Sequence, residues 1–436
     1  MKRLYTIAIS LALFAGCGEL DDAPLSERTT FMHFYEGAYS LTAAAAEIAP
    51  DGYVIVGTVN VSGNTRASRI IVIKTNRLGQ RQWERVIDNG VASGIRVLPN
   101  GYAVIGSNAV YNANTGNISE LENYSARLVI LDAGGNVVQD ISSETKTNAS
   151  DLHIDYYGDA ITEDNNGNLI TLGTYQEPGK SEYSYVTALS ATTFDTLWHR
   201  DYNYIVRDYV NTKSVHYNGG KVLWGSSITE TLNAFNYSYL AIPIVVENST
   251  FVNSNYFGQN QDQQSLRIRD IRESALGYGA IGTYSKPDGT NADMFFIRVD
   301  RSGNFIQESI RYFDAQVSMI QPNLTEPSLS DVTESGEALT PTRDGGFVLA
   351  GTLVTDEGKR IGNGGNDVWL IKVDAFGVTE WSRIMGGPTS EMPASIRETE
   401  DGGLLICGTI RDGNEQSGGL SSIFLMRTDS RGDMKK

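Results

Sequence analysis

His33, His153, His199 and His216 are the only histidines in 436 residues. None belongs to an HExxH pair or a Cys/His cluster at metal-ligand spacing. The chain also has no GxSxG elbow and no GxxxxGK[ST] loop to cradle a phosphate. His33 falls in an apolar strand and reads as packing. Asp164–Asn168 (DNNGN) and Asn363–Asp367 (NGGND) offer oxygen ligands, but neither ends in the bidentate glutamate of a calcium loop, so both read as polar turns. The acids Asp21–Asp22 and Glu398/Glu400 fall beside the leader or in turns. No catalytic residue, metal site or cofactor is assigned. Between Trp198 and Tyr239 the chain is rich in aromatics, and rings with polar edges suit the faces of sugars or peptides. Tyr202, Tyr204, Tyr209, Tyr217, Trp224 and Tyr237 are the candidate ligand contacts.

A formal net charge of −17 disfavours nucleic acid and anionic headgroups as partners, and it keeps a large exposed protein soluble. Only two cysteines occur, so no disulfide framework is expected; Cys407, inside GLLICGT, reads as a small buried hydrophobe.

Lys2 and Arg3 precede an apolar stretch, Leu4 to Phe14, of secretory length and too short to span a bilayer. Ala15-Gly16-Cys17 resembles a bacterial lipobox, with Phe14 where leucine is usual. The resemblance implies a signal peptide over 1–16 and lipid attachment at Cys17, the only membrane contact expected. Gly18-Glu19-Leu20-Asp21-Asp22 resembles the surface-export signals of Bacteroidota lipoproteins, and 17–29 reads as a flexible tether.

What positions everything else is a repeat. Seven segments run from a turn through a short apolar stretch to a glycine, at Gly57, Gly106, Gly173, Gly225, Gly282, Gly351 and Gly408, roughly 50–70 residues apart. Each is followed by a second strand such as RIIVIKTN (Arg69–Asn76) or VWLIKVDA (Val368–Ala375), apolar at odd and even positions alike, as a sheet covered on both faces requires. Glycine turns and a third strand complete most repeats, with Trp83, Trp198 and Trp381 opening that strand. Lys74, Arg298, Lys372 and Arg427 recur at one position, which implies a structural role with heads at a solvated rim.

The last repeat ends at Gly432-Asp433 without its third strand, while Phe31–Gly37 lines up with Trp381–Gly387. This predicts an all-β, seven-bladed β-propeller over 30–436, closed by an N-terminal strand that completes the last blade. The DGG, KVD–G and W repeats resemble those of bacterial β-propeller lipoproteins. That resemblance implies a recognition role and names no reaction. With the leader and the absence of a catalytic motif, the leading expectation is a non-enzymatic, lipid-anchored, surface-exposed outer-membrane protein, its partner a protein or a glycan. The longest loops, 141–158 and 313–340, are the expected carriers of recognition. Two alternatives stay open: a polysaccharide lyase or glycosidase with its site at the channel mouth, and a subunit of an outer-membrane transport or secretion complex. Cys17→Ala is expected to move the protein from the membrane to the soluble fraction on fractionation; continued membrane association would rule out the anchor.

Overall fold

The computed structural model describes residues 30–60, 68–110, 123–143, 146–148, 153–207, 213–232, 235–250, 252–258, 265–285, 292–315, 323, 325, 333–354, 363–411 and 420–434. Every element among them is a β-strand. Cys17 and the leader lie outside the described residues.

The strands form consecutive antiparallel meanders. Repeat 1 is a four-stranded sheet of Ser40–Ala49, Gly52–Asn60, Arg69–Asn76 and Arg81–Ile87, and repeats 2 and 6 have the same order. Repeat 3 adds the short strand Lys146–Thr147 at one edge. Repeats 4 and 5 share one sheet through a single parallel pairing, Ser238 with Ser265. In repeat 4 the second strand breaks at Gly225, between Lys221–Trp224 and Ser226–Leu232.

The sequence reading finds three strands per repeat; the structure adds an innermost fourth, ahead of the DG turn. Its small and polar residues hide it, as does a bulge. In repeats 1, 2, 3, 5, 6 and 7 the register slips one residue past the partner of the closing glycine, for example between Ala43 and Ala45 opposite Gly57. The extra residue pushes an inner-strand carbonyl, such as Thr42 O at Gly57 or Arg267 O at Gly282, into the space a Cβ would need. The closing glycine is therefore dictated by the bulge.

Alternation explains the two-faced strands. Val54, Val56, Ile70 and Val72 pack toward repeat 2, while Tyr53, Ile55, Ile71 and Ile73 pack toward repeat 7. An apolar cluster of this kind fills each junction between successive repeats and the junction of repeat 7 with repeat 1. Each buried side chain of Val, Leu or Phe size contributes about 1.5–3 kcal/mol. The fold is β-propeller-like.

The N-terminal strand Phe31–Tyr35 pairs antiparallel with Ser421–Thr428, with Phe31 opposite Arg427 and Tyr35 opposite Ile423. It also takes over a packing role of the tryptophans. Trp83 lies on Gly135 in the turn of the next repeat and Trp381 on Gly432, in each case at the distance where a glycine Cβ would collide. Phe31 and His33 lie on Gly79 in the same way. His33 Nε2 meets Leu78 O at 2.9 Å, where Arg85 in repeat 1 donates to Gly135 O at 2.7 Å. Trp83, Trp198 and Trp381 stand third in their strands, two residues later than expected.

The recurring cations correct one expectation. Lys74, Arg298, Lys372 and Arg427 are all buried. Lys74 and Lys372 reach the aspartate of their own repeat's DG turn, Asp51 at 2.7 Å and Asp344 at 2.9 Å, and Arg427 pairs with Asp401 in the same way. Burial of the stem sets the length, and the turn aspartate supplies the counter-charge. Cys407 is fully buried, and burial pushes its thiol up to about 12.

Gly282→Ala is expected to destabilise the protein by about 1–3 kcal/mol in urea unfolding, because backbone must move. Gly37→Ala, whose Cβ meets nothing closer than 3.6 Å, should be neutral. Equal effects at the two sites would refute the bulge explanation.

Candidate binding cleft between repeats 2 and 3

The junction of repeats 2 and 3 adds a polar, tyrosine-rich region to its apolar cluster. Repeat 3 turns toward repeat 2 a face built from Tyr156 on the strand His153–Glu163, Tyr175 on Leu169–Gln176, Tyr183, Tyr185 and Thr187 on Glu182–Leu189, and His199 and Asp201 on Thr196–Arg207. Register puts them on one face: Tyr156 opposite Tyr175, Tyr175 opposite Tyr183, Tyr185 opposite Asp201, and Thr187 opposite His199. The paired glycines Gly158 and Gly173 let neighbours reach the centre of the face: Ile105 and the Gly106 carbonyl lie over Gly158, and the Tyr185 ring over Gly173.

Against this face, repeat 2 sets the apolar Ile105, Ala126, Leu128 and Ile141 together with Arg127, Ser142 and Ser143. Between them lies a cavity of about 320 Å³, whose lining also includes Lys146, Tyr156, Thr171, Tyr185, Thr187 and His199. That volume is at the lower end of the range for small-molecule sites, and an apolar wall facing a few convergent polar groups is their usual make-up.

Thr187, His199, Asp201, Tyr156 and Lys146 form one hydrogen-bonded chain. His199 Nε2 meets Asp201 Oδ1 at 2.9 Å and its Nδ1 meets Thr187 Oγ1 at 2.7 Å. A carboxylate only accepts, so a neutral ring carries its proton on Nε2 and Thr187 donates to Nδ1. Lys146 Nζ donates to the Tyr156 oxygen at 3.1 Å and lies 3.5 Å from Asp201, while Tyr156 donates to Asp201 Oδ2 at 3.4 Å. Lys146 Nζ also stands 4.9 Å from the centre of the Tyr156 ring, a cation–π distance.

Burial works to raise Asp201, but the hydrogen bond and charge of His199, with Lys146, outweigh it and hold the carboxyl below its ordinary 3.8. Burial, reinforced by Asp201, pushes the Tyr156 hydroxyl up; burial does the same for Tyr175. Both stay protonated donors. The rings of Tyr156 and Tyr175 stack at 5.6 Å, and Tyr185 meets Tyr156 edge-on at 5.3 Å.

Three of the six candidate contacts read from sequence, Tyr202, Tyr217 and Trp224, fall elsewhere. Tyr202 and Trp224, 0% and 1% exposed, are core residues between repeats 3 and 4, their rings 6.0 Å apart. Tyr217 is half-buried against the same cluster. Tyr204 and Tyr237 lie in strands, but their side chains are outside the described residues, as is Tyr209. The sequence reading missed Tyr156, Tyr175, Tyr183 and Tyr185, although YSYV and DYYG carry the signal: tyrosines at alternate positions on paired strands share a face. The segment 141–158, singled out for its length, does contribute Ile141, Ser142, Lys146 and Tyr156 to the lining. In the two suspected calcium loops the carboxylates hold their own turns: Asp164 Oδ1 accepts from the amides of Asn166 and Asn168, and Asp367 Oδ2 from that of Asn363.

No family model matches the chain, and no curated protein matches it. Among solved structures it is similar to a protein of unknown function from Dyadobacter fermentans, at 10% identity over 78% of this chain and 94% of that one, with a TM-score of 0.46. It is also similar to Trypanosoma rangeli sialidase in complex with the inhibitor DANA, at 9% identity over 89% of this chain and 55% of that one, TM-score 0.42. A third is Synechocystis apocarotenoid oxygenase, at 10% identity over 61% of this chain and 60% of that one, TM-score 0.38. The chain thus spans little more than half the length of the last two.

Asp201→Asn tests the electrostatics of the cleft. A carboxyl depressed by folding contributes stability that is complete above 3.8 and lost as pH falls through the lower folded value. The melting-temperature gap between wild type and variant should close as pH falls from about 5 to about 2. A gap that stays constant would show that Asp201 is not ion-paired in the fold.

Proposed function

We propose that this chain is a seven-bladed, lipid-anchored recognition protein of the outer membrane that binds a polyhydroxylated ligand, a glycan, in the cleft between repeats 2 and 3. Support for the blade count is the row of apolar junctions with Phe31–Tyr35 completing the last sheet. The reading rests on one observation: the cleft sets apolar and tyrosine walls beside Lys146, Thr171, Thr187 and His199. Sugars present apolar ring faces and a rim of hydroxyls, and they pair with such a lining. The anchor at Cys17 and the surface location follow from the leader, and rigid blades hold the cleft while the tether gives it reach.

One observation favours a second, enzymatic reading: the hydroxyl–imidazole–carboxylate chain Thr187–His199–Asp201 is the arrangement that activates a nucleophile. Its imidazole is turned so that the hydroxyl meets Nδ1, and Lys146 sits beside the carboxylate.

Isothermal titration with a panel of mono- and disaccharides is expected to find at least one saturable ligand. Ser142→Trp, placed on an exposed residue at the cleft mouth, should weaken it about tenfold or more with an unchanged melting temperature. If no sugar in the panel binds, the glycan reading fails. Release of nitrophenol from nitrophenyl glycosides, abolished by His199→Gln, would replace it with the enzymatic one.

A further inference from the structure

The innermost strands bring a second set of charges together on the axis. Counting from each closing glycine, the residue paired three positions before it marks one level through the ring. That level carries Glu47, Arg96, Arg272 and Arg397, with two threonines and a tyrosine at the remaining places. Three guanidiniums thus face one carboxylate. Lys213, from repeat 4, adds a fourth cation to the same cavity, whose volume is about 100 Å³.

The carboxylates within reach are largely spent. Arg397 holds Glu47 through Nε at 3.1 and 3.2 Å as well as through Nη2. Asp270 receives Arg272 Nε at 3.1 Å, but it also accepts from Ser214 Oγ at 2.7 Å and from the amides of Ile271 and Leu339 at 3.0 and 3.3 Å. Among the described residues the two terminal nitrogens of Arg272 have no acceptor. Arg96 reaches Glu163 only at 3.4 Å, and its Nε is buried without a partner. Lys213 donates to Ala394 O at 3.1 Å and stands 3.7 Å from Glu337.

The charges feel this crowding. Burial, then the charge of Arg397, works to lower Arg272. Burial lowers Lys213, with Arg269 and Arg272 adding to it against Glu337 and Asp270. Each of the four cations has a carboxylate beside it. The terminal nitrogens of Arg272 and the Nε of Arg96 are nonetheless left without acceptors around a polar void, and that is hydrogen-bonding capacity an anion would take up.

We propose that the axial cavity binds one small oxyanion group, a carboxylate, phosphate or sulfate, held by the terminal nitrogens of Arg272 with Arg96 and Lys213. The size of the void admits a single such group and excludes a sugar ring. The site is separate from the cleft between repeats 2 and 3, so either can fail without the other.

The test compares wild type with Arg272→Gln, titrating the full chain with sodium phosphate, sulfate and acetate against sodium chloride at matched ionic strength. Wild type is expected to show saturable binding of one equivalent; which anion binds most tightly separates a tetrahedral from a planar ligand. Arg272→Gln should weaken it about tenfold or more, the scale of a charge-assisted hydrogen bond. Because this change also strips the buried Asp270 of its ion pair, Arg96→Gln is run beside it and should weaken binding in the same direction. Sulfate stabilises proteins generally by exclusion, so a shift that is unsaturable, equal in chloride, or fully retained in Arg272→Gln overturns the proposal. Crystals soaked in selenate give a second reading: an anomalous peak beside Arg272 supports the site, and peaks only elsewhere refute it.

Discussion

The pairing of Phe31–Tyr35 with Ser421–Thr428 holds the ends of the molecule together, and the remaining architecture depends on it. Every sheet is apolar on both faces, so none is stable with a neighbour on one side only. A row of such sheets has two ends to cover, and bending it until the last sheet packs on the first covers both. Tyr35, Leu405, Cys407, Ile423 and Leu425 then share a cluster with Tyr53, Ile55, Ile71 and Ile73. The strand is short, but it also supplies Phe31 and His33 to the Gly79 turn, and Tyr35 donates to Gly79 O at 2.6 Å. One five-residue strand therefore completes a sheet and a junction together.

Within that frame the bulged inner strand does two things. It forces glycine within the second strand of six repeats. It also carries apolar residues that enter the junctions, such as Leu41, Ile268, Leu339 and Ile396, beside charged ones such as Glu47, Arg272 and Arg397 that meet near the axis. Glu47 and Arg397 illustrate the balance: burial works against both charges, and their mutual attraction overrides it, holding the glutamate below and the arginine above their ordinary values. The junction between repeats 2 and 3 relaxes the apolar rule in another way, by substituting tyrosine and hydroxyl side chains for aliphatic ones, and a cavity opens where the packing is poorest.

Much of the frame was legible in the residues. The glycine period, the two-faced second strands and the alignment of Phe31–Gly37 with Trp381–Gly387 each show as a short pattern that recurs along the chain. The innermost strands were not legible, because a bulge breaks the period-two pattern, Ala43–Ala46 favours helix by propensity and Ser93–Gly94 looks like loop. The cleft was missed for a different reason. Tyrosine richness marks both cores and binding faces, and Tyr202 with Trp224 went to the core. The tyrosines on the cleft are spread over three strands, and only pairing register shows that Tyr156, Tyr175 and Tyr183 are neighbours. Lys146 comes from a two-residue strand with no pattern of its own.

Because the first described strand pairs with the last, the order of synthesis matters. A ribosome delivers Phe31–Tyr35 long before Ser421–Thr428, and until residue 428 emerges the early strand has no partner. The exposed edges and bare apolar faces of the nascent row then persist for most of translation, a state open to mispairing with other chains. The last sheet can be completed only once Ser421–Thr428 has been made, so a chain lacking that strand leaves Phe31–Tyr35 without its partner.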